Sequence, residues 1–471
     1  MKKLITIFST ATLILFAGLL FPVSSIAQYS NLLNLDGAGN GSYPRGAFIS
    51  DGTFLFGTTF GGGTNGMGTV FKIKPDGTGY LKLLEFTGAN GQQPNNALVR
   101  IGTILYGMTK IGGTNNMGTL FKINDDGTGY TKLLDFLGTT NGSYPSGALI
   151  NEGLFLYGMT NVGGVNNKGT IFKIMTDGTG YVKLLDFDDT NNGSIANGHL
   201  VSDGTYLYGM TMAGGASTYG TIFKIKLDGT GYTKLHDFNS ANGKSPLGSL
   251  ISDGTYLYGT TNEGGNNFMY GTVFKIKTDG TGFATLIHFD SMNGSNPMGD
   301  MSSDGTYLYG MTHNGGTGNS GLLFKVKLDG SGYEKLLDFV AATNGSHPEG
   351  SVFYDSGALY GATADGGANT FGTIFKFVLP ATSTPGEFMV QGNGNSGAVY
   401  PNPSSGILNI QCSNSSITMN KIEIFDTLGK MIFESDISQT KSINLTGNAK
   451  GIYFARITRG EKISFEKIVL Q

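Results

Sequence analysis

One stretch of the sequence decides the fold: residues 248–289 read GSLISDGTYLYGTTNEGGNNFMYGTVFKIKTDGTGFATLIHF. Two runs of β-branched and aromatic residues are joined through Asp253 and Gly254, and two more are joined through the turn at residues 279–282. Asp-Gly between alternating apolar residues is a strong hairpin signal. The stretch therefore predicts two hairpins, or four antiparallel strands, separated by a glycine-rich loop.

The same unit recurs along most of the chain. Its copies follow one another at a nearly constant spacing of 50 or 51 residues, and such a spacing is the signature of a repeat architecture. Seven copies fill residues 28–380, and four antiparallel strands per copy are typical of a β-propeller blade, with a linear solenoid of the same units as the alternative. A segment of the type Leu-Tyr-Gly-Met-Thr returns every 50 or 51 residues, with its glycine at Gly57, Gly107, Gly158, Gly209, Gly259, Gly310 and Gly361.

The two ends of the repeat region favour a closed ring. The seventh copy stops after its third strand, at residues 373–377, and residues 29–35 match the fourth strand of another copy, residues 130–136. Pairing of the N-terminal strand with the last blade closes the ring and removes the exposed edges. We therefore predict an all-β, seven-bladed propeller whose seam lies in blade seven.

The composition excludes several classes of protein. Glycine accounts for 77 of 471 residues, but 31 Phe and 22 Tyr supply a core, so the glycine does not indicate disorder. A net charge of −3, with only 14% charged residues, excludes a basic surface for nucleic acid. The lone Cys412 cannot form an internal disulfide, so stability has to come from packing.

Residues 1–27 have the features of a signal peptide that is removed after Ala27. Lys2 and Lys3 precede an apolar run, and Ser25 and Ala27 supply the small residues that signal peptidase requires. A retained membrane anchor is the alternative, although Thr, Ser and Gly interrupt the run. We therefore expect an exported, monomeric mature chain without a transmembrane span.

After residue 380 the period is lost. Residues 381–398, rich in Ser, Thr, Gly and Asn, are predicted to be a linker. Residues 399–471 contain short alternating apolar runs, which are consistent with a small β-sandwich. The motif residues of this second domain are Tyr400, Pro401, Asn402, Pro403, Asp426, Gly429, Lys430, Gly451, Tyr453 and Lys467.

These residues carry two resemblances. The recurring Leu-Tyr-Gly-Met-Thr, Gly-Thr-Ile-Phe-Lys-Ile and Asp-Gly-Thr-Gly-Tyr segments resemble the tandem GloVer repeat of exported bacterial proteins and are distantly similar to kelch repeats. The Tyr-Pro-Asn-Pro opening and Asp-x-x-Gly-Lys turn of the tail resemble the type A C-terminal sorting domain of the type IX (Por) secretion system. The second resemblance implies a bacterium of the Bacteroidota, handling by the type IX machinery through residues 399–471, and a protein released from or attached to the cell surface. A carbohydrate-binding β-sandwich is the alternative for the tail.

The sequence contains no evident catalytic or metal-binding constellation. The five histidines lack ligand spacing, and the recurring Asp-Gly turns lack the further acidic positions of a calcium loop. No nucleophile elbow or pair of catalytic carboxylates stands out. We therefore expect no metal and no cofactor, and a non-enzymatic role is favoured.

Comparison of the copies points to one candidate binding site. The short hairpin turns occupy one face, so the two longer connections of each blade must lie on the other, where binding residues usually concentrate. Harmless variation among loops would produce the same pattern. The candidate residues, predicted to form a rim around the channel, are Arg45, Lys110, His199, Glu263, Asp300, His313, Glu349 and Asp365.

Three functions remain open at this point. The first is an exported module that binds a glycan or a protein with its long connections. The second is a polysaccharide lyase or hydrolase, for which Arg45, His199, Asp300 and Glu349 come nearest to an acid/base cluster. The third is a structural surface protein, which the near-uniform copies fit.

Overall fold

The computed structural model describes residues 28–266 and 269–380, together with residues 399–400, 407–410, 421–426, 430–436, 441–459 and 462–470 of the tail. The predicted signal peptide and linker lie outside the described residues. The chain divides into two compact units, Met1–Ala381 and Thr382–Gln471. All helix or strand structure in the described residues is β-strand, as the sequence predicts.

The described residues of the first unit form seven four-stranded antiparallel sheets, and in six of them the strands follow one another along the chain. The strands are β1 (Gln28–Asn34), β2 (Ile49–Ser50), β3 (Leu55–Thr59), β4 (Thr69–Ile73), β5 (Leu81–Glu85), β6 (Val99–Ile101), β7 (Ile104–Thr109), β8 (Thr119–Asn124), β9 (Thr131–Asp135), β10 (Ile150–Glu152), β11 (Phe155–Thr160), β12 (Thr170–Met175), β13 (Val182–Asp186), β14 (Val201–Ser202), β15 (Tyr206–Thr211), β16 (Thr221–Lys226), β17 (Thr233–Asp237), β18 (Ile251–Ser252), β19 (Tyr256–Thr261), β20 (Thr272–Lys277), β21 (Ala284–His288), β22 (Ser302–Ser303), β23 (Tyr307–Thr312), β24 (Leu322–Lys327), β25 (Glu334–Asp338), β26 (Phe353–Asp355), β27 (Ala358–Thr363) and β28 (Thr373–Val378).

The seventh sheet closes the ring. Its strand order is β1-β28-β27-β26, so the N-terminal strand pairs with the third strand of the last copy, and Leu33 lies opposite Ile374. Hydrophobic clusters lie between all neighbouring sheets. Between the seventh sheet and the first, Phe71 packs in one cluster with Tyr360 and Ile374. The predicted closing strand is therefore present, and the linear solenoid is excluded.

The recurring glycine makes room for a buried aromatic ring. In the fourth copy Gly209 on β15 lies opposite Phe223 on β16, which is fully buried. A Cβ at Gly209 would lie 2.6 Å from the Phe223 ring, so no larger residue fits without displacing the ring. Tyr232, just before β17, stacks on the same ring at 5.6 Å and donates from its hydroxyl to the Asn192 carbonyl oxygen at 3.1 Å. This arrangement explains why glycine, phenylalanine and tyrosine recur together.

Within its described residues, the second unit contains two sheets that share one hydrophobic cluster, which includes Leu408, Ile443, Ile424 and Ile468. The three-stranded sheet has the order β29-β30-β33 and the four-stranded sheet the order β32-β31-β34-β35. The strands are β29 (Val399–Tyr400), β30 (Ile407–Ile410), β31 (Lys421–Asp426), β32 (Met431–Ser435), β33 (Lys441–Asn444), β34 (Gly451–Arg459) and β35 (Lys462–Leu470).

The described motif residues of the tail lie in strands and at one turn. Lys430 N–H donates to Asp426 Oδ1 at 2.9 Å, which closes the Asp-x-x-Gly-Lys turn, and the Tyr453 hydroxyl donates to the Ala449 carbonyl oxygen at 2.6 Å. Tyr400, Gly451 and Lys467 belong to β29, β34 and β35. Pro401, Asn402, Pro403 and Gly429 lie outside the described residues.

Candidate functional site

The two longer connections of each blade are hydrogen-bonded to each other on one face of the propeller, here called the long-loop face. In the first copy the Phe60 N–H donates to the Tyr43 carbonyl oxygen at 3.0 Å. The residue at the Tyr43 position has a φ between 52° and 59° in every copy, a left-handed conformation that strains residues other than glycine. Its N–H donates to a carbonyl of the preceding blade, which holds the strained conformation in place. The seven residues are Tyr43, Gln93, Tyr144, Ile195, Ser245, Asn296 and His347.

After this residue each copy sends a short segment, in most copies Pro-x-Gly-x, to the centre of the ring. The seven segments together line an open cavity of about 190 Å³. We call the residues just before the glycine position the first ring: Arg45, Asn95, Ser146, Asn197, Leu247, Met298 and Glu349. The residues just after it are the second ring: Ala47, Ala97, Ala148, His199, Ser249, Asp300 and Ser351.

Glycine in these segments allows neighbouring backbones to cross in close contact. A Cβ at Gly147 would lie 2.1 Å from the Gly198 carbonyl oxygen, and one at Gly299 would lie 2.1 Å from that of Gly350. Gly350 in turn lies against the backbone of Arg45, which completes the circle. The backbone therefore fixes the position of each ring residue, whatever its side chain.

The first ring contains an ion pair between blades one and seven. Arg45 Nε lies 2.7 Å from Glu349 Oε2, and the two side chains are 29% and 22% exposed. The guanidinium also lies over the Phe60 ring, 4.1 Å from its centroid. Burial raises the pKa of Glu349, and the charge of Arg45 opposes that rise. The pair is thus accessible from the cavity yet held by contacts within the protein.

The second ring contains a cluster from blades four, five and six. His199 Nδ1 lies 2.6 Å from Ser249 Oγ and 3.4 Å from Asp300 Oδ2. Burial alone would raise the pKa of Asp300, but His199 and the hydrogen bonds from Ser249 outweigh it and lower the pKa to about 2. In a serine-hydrolase triad, Ser and Asp contact opposite imidazole nitrogens, whereas here both face Nδ1. The cluster is therefore not arranged to activate Ser249 as a nucleophile.

Four of the eight candidate residues, Arg45, His199, Asp300 and Glu349, line the cavity. The other four, Lys110, Glu263, His313 and Asp365, follow the second strand of their blades and are not part of the lining. Glu263 instead forms an ion pair with Lys244 at 2.7 Å.

A second group of polar residues lies beside the Arg45–Glu349 pair. Asp365 Oδ2 lies 3.5 Å from His347 Nδ1, and the imidazoles of His313 and His347 are 4.9 Å apart. Burial, together with the charges of His347 and Arg45, lowers the pKa of His313 to about 4. Lys110 is close enough to lower the pKa of Glu349, although burial and Asp365 raise it. The charges of these residues therefore act on the cavity wall, although their side chains do not line the cavity.

The candidate set omitted several residues that the structure brings to this site. Ser249 and Ser351 occupy the same repeat position as His199 and Asp300, which is the signal by which they can be found. Asn95 stands at the Arg45 position, and its Oδ1 is buried without a hydrogen-bond partner among the described residues. His347 stands at the strained Tyr43 position and contacts His313.

Two kinds of feature are absent from the described part of the chain. Within it, no group of three or more His, Cys, Asp or Glu side chains is arranged to hold a metal ion. No helix there has the length and apolar character needed to cross a membrane.

Two family models match the chain. The Gloeobacter/Verrucomicrobia repeat matches residues 13–204, 151–306, 200–375 and 271–411, and the secretion system C-terminal sorting domain matches residues 398–471. Both resemblances drawn from the sequence are thereby confirmed. The sorting domain indicates export across the outer membrane to the cell surface or the extracellular space, with handling by the type IX secretion system. No curated protein matches the chain.

Solved structures share the fold. The extracellular domain of a hybrid two-component system from B. thetaiotaomicron has a TM-score of 0.52 at 13% identity, covering 95% of this chain and 60% of that chain. An oligogalacturonate lyase in complex with manganese has a TM-score of 0.50 at 11% identity, covering 75% of this chain and 94% of that chain. The chain thus spans 60% of the length of the first of these. At such identities the likeness concerns the fold alone.

Proposed function

The chain belongs to the Gloeobacter/Verrucomicrobia repeat family and carries a secretion system C-terminal sorting domain, and we propose that its propeller is an exported binding module. In this proposal residues 1–27 direct transport across the inner membrane and residues 28–380 form the binding unit. Residues 381–398 link it to residues 399–471, which direct passage across the outer membrane. The ligand is an extracellular glycan or protein that enters the cavity on the long-loop face.

One observation carries the proposal: the segments that meet at the cavity differ in side chain from copy to copy, while the core of the blades repeats. The core of each blade repeats the same glycine and phenylalanine, whereas the seven positions of the first ring hold six residue types, Arg, Asn, Ser, Leu, Met and Glu. Variable loops on a rigid scaffold are where proteins concentrate binding residues. A site assembled from seven segments also gives one ligand contacts with many independent side chains.

The size and charge of the cavity suit the end of a polar ligand. A volume of about 190 Å³ is below the ~300–1,000 Å³ of pockets that enclose a whole small molecule. Arg45 is paired with Glu349, and Asp300 lies against the His199 imidazole, so both carboxylates of the wall already have a partner within the protein. The lining therefore offers hydrogen-bond donors and acceptors to one end group of a longer chain.

A polysaccharide lyase or hydrolase is the second candidate, and one contact favours it. Asp300 lies beside His199, and a carboxylate next to an imidazole is a common arrangement for proton transfer. Turnover of any polysaccharide by the purified protein, lost in an Asp300→Asn variant, would support an enzyme. Binding without turnover would support the module.

Binding is tested with the secreted full-length protein against bacterial, plant and host glycans and against peptides. The double variant Arg45→Met/Glu349→Gln removes the ion pair but keeps the side-chain volumes. Glu263→Gln is the matched control, because its ion pair with Lys244 lies outside the cavity lining. We expect affinity to fall about tenfold or more in the double variant, equivalent to ~1.4 kcal/mol, and to stay unchanged in the control.

Two results would count against the binding module. Absence of binding by a well-folded protein across the whole panel would favour a structural surface protein. Unchanged affinity in the double variant, with a loss in Glu263→Gln, would mean that the ligand does not use the cavity.

A further inference from the structure

A row of hydrogen bonds runs along part of the second ring. The His199 N–H donates to Ser249 Oγ at 2.8 Å, and the Ser249 N–H donates to Asp300 Oδ1 at 2.5 Å. The Asp300 N–H donates to Ser351 Oγ at 2.8 Å. Each backbone N–H is thus satisfied by a side-chain oxygen at the same position of the next blade. We call these three N–H groups, of His199, Ser249 and Asp300, the capped arc.

At the four other blade junctions the same N–H groups have no acceptor within the described residues. The next residue around the ring is an alanine at three of these junctions, and a methyl group accepts no hydrogen bond. At the fourth it is His199, whose Nδ1 already faces Ser249 and Asp300. We call these four N–H groups the open arc; they belong to Ser351, Ala47, Ala97 and Ala148.

The open arc faces the cavity. All four of its residues line the cavity, and the copies share one backbone course, so their N–H groups are placed like those of the capped arc. Backbone N–H groups that lie around a concave surface without an acceptor in the protein attract anionic oxygen atoms, as the N–H groups of anion-binding turns do. Arg45 and Glu349, which stand two residues before Ala47 and Ser351, form an ion pair on this side, so these two side chains together add no net charge. The arc supplies donors only, so its complement is a ligand rich in acceptor oxygens.

We propose that the open arc binds the carboxylate of an acidic sugar at the end of an extracellular glycan; this rests on the proposed binding function of the cavity. The capped arc shows which chemistry fits, because a carboxylate from Asp300 and hydroxyls from Ser249 and Ser351 fill the equivalent positions there. A uronic acid presents the same two groups on one ring. Its carboxylate meets the open arc, and its hydroxyls meet polar first-ring residues such as Asn197 and Ser146.

An acidic sugar fits this cavity better than the carboxyl end of a peptide. A peptide carries the side chain of its last residue next to the carboxylate, and apolar partners for it are few. Leu247 and Met298 are the large apolar side chains of the described lining, and they belong to blades five and six, whereas three of the four open-arc residues belong to blades one to three. Apart from glycines and the alanines of the second ring, the other lining residues are polar, and hydroxyl-rich ligands use such groups throughout.

The test measures calorimetric binding of trigalacturonate and of its methyl ester to the full-length secreted protein. Ala97→Ser places a hydroxyl opposite the Ala47 N–H, as Ser249 does for His199, and Ala97→Asp places a carboxylate there, as Asp300 does for Ser249. One hydrogen bond to a charged ligand corresponds to about tenfold to a hundredfold in affinity, so Ala97→Ser should weaken binding by that factor. Ala97→Asp should abolish binding through repulsion as well.

Two controls accompany these variants. Ala216→Ser makes the same substitution on an exposed part of a long loop and should leave affinity unchanged. Thermal unfolding of each variant verifies folding; Ala47→Ser, which caps the Ser351 N–H by the same logic, replaces Ala97→Ser if the latter unfolds.

The possible outcomes distinguish failure of the carboxylate site from failure of the proposed binding function. Equal binding of the acid and its methyl ester, or unchanged binding in Ala97→Asp, would overturn the carboxylate site. Binding of a neutral glycan or of a free peptide carboxylate in place of trigalacturonate, lost in Arg45→Met/Glu349→Gln, would overturn it and leave the binding module standing. Absence of binding by every ligand of the panel would overturn both.

Discussion

The two faces of the propeller come from the same repeat, yet their side chains behave differently. On the face of the short hairpin turns, Asp228 Oδ1 accepts the N–H and the hydroxyl of Thr230 at 2.8 and 2.7 Å. On the long-loop face, the bonds of the two rings change from one copy to the next. The turn residues that share the repeated pair of bonds are Asp76, Asp126, Asp177, Asp228, Asp279 and Asp329.

This difference follows from the distance between partners along the chain. Asp228 and Thr230 are two residues apart, so the local sequence must keep both for the turn to form. Ser249 and Asp300 are 51 residues apart and meet only because the ring brings them together. Since the crossing glycines already fix the ring positions, the side chains there are free to vary. Substitutions in the scaffold should therefore cost stability, and substitutions in the rings should mainly change binding.

A core substitution should have the largest effect on stability. Phe223 is fully buried between blades three and four, so Phe223→Ala should lower the free energy of unfolding by about 3–5 kcal/mol. Met298→Ala, which trims a first-ring side chain at the open cavity, should lower it by less than about 1 kcal/mol. Urea denaturation followed by circular dichroism measures both, since the chain contains no Trp. Equal costs would contradict the division between scaffold and rings.

A substitution at a crossing glycine should have the next largest effect. The added methyl of Gly147→Ala would lie 2.1 Å from a backbone oxygen, so the segments must move apart at a cost of about 1–3 kcal/mol. Ligand affinity should fall with it, because the ring positions shift. The control is Gly318→Ala on a long loop, where the nearest atom lies 3.7 Å away. Thermal unfolding should show a lowered midpoint for Gly147→Ala and an unchanged midpoint for Gly318→Ala. The reverse result would show that the segment backbones are not closely packed where they cross.

The fold could be predicted because its signals are local or repeated. The Asp-Gly turns delimit the hairpins within one copy, and the match of residues 29–35 to residues 130–136 identifies the closing strand. The strained position of Tyr43 and its equivalents left no such signal. Six of the seven are bulky or polar residues other than Asn, and they are held by hydrogen bonds to the preceding blade and to the loop after the second strand.

The sequence could predict where the site lies in the fold, but not which side chains of the site contact one another. Aligning the copies at the segment glycine names the ring positions, including Arg45 and Glu349. Their pairing across 304 residues depends on ring closure and has no local pattern. Glu263 and Asp365 were included because charged residues break the repeat there. The cavity, however, is lined only by segments that precede the first strand of each blade.

The charge of Asp300 should make stability depend on pH at the acidic end. Its pKa is about 2 in the folded protein, against an ordinary value of 3.8. Because the unfolded carboxyl binds its proton more tightly, a contribution of about 2 kcal/mol is complete above pH 4 and is lost as the pH falls toward 2. Asp300→Asn keeps an oxygen for the Ser249 N–H but does not titrate. The difference in unfolding free energy between the two proteins should therefore shrink below pH 4, and a constant difference would contradict the charged state.

The smallest effect is expected at Glu263, the candidate residue whose sequence position and structural position differ most clearly. Its ion pair with Lys244 joins side chains that are 43% and 24% exposed, so Glu263→Gln should change the free energy of unfolding by less than about 1 kcal/mol. Ligand affinity should also stay unchanged, because the residue does not line the cavity. A loss of affinity comparable with that of Arg45→Met/Glu349→Gln would extend the site to the loops that follow the second strand. The binding site would then reach beyond the cavity wall, and the variable loops would contribute to binding as a whole.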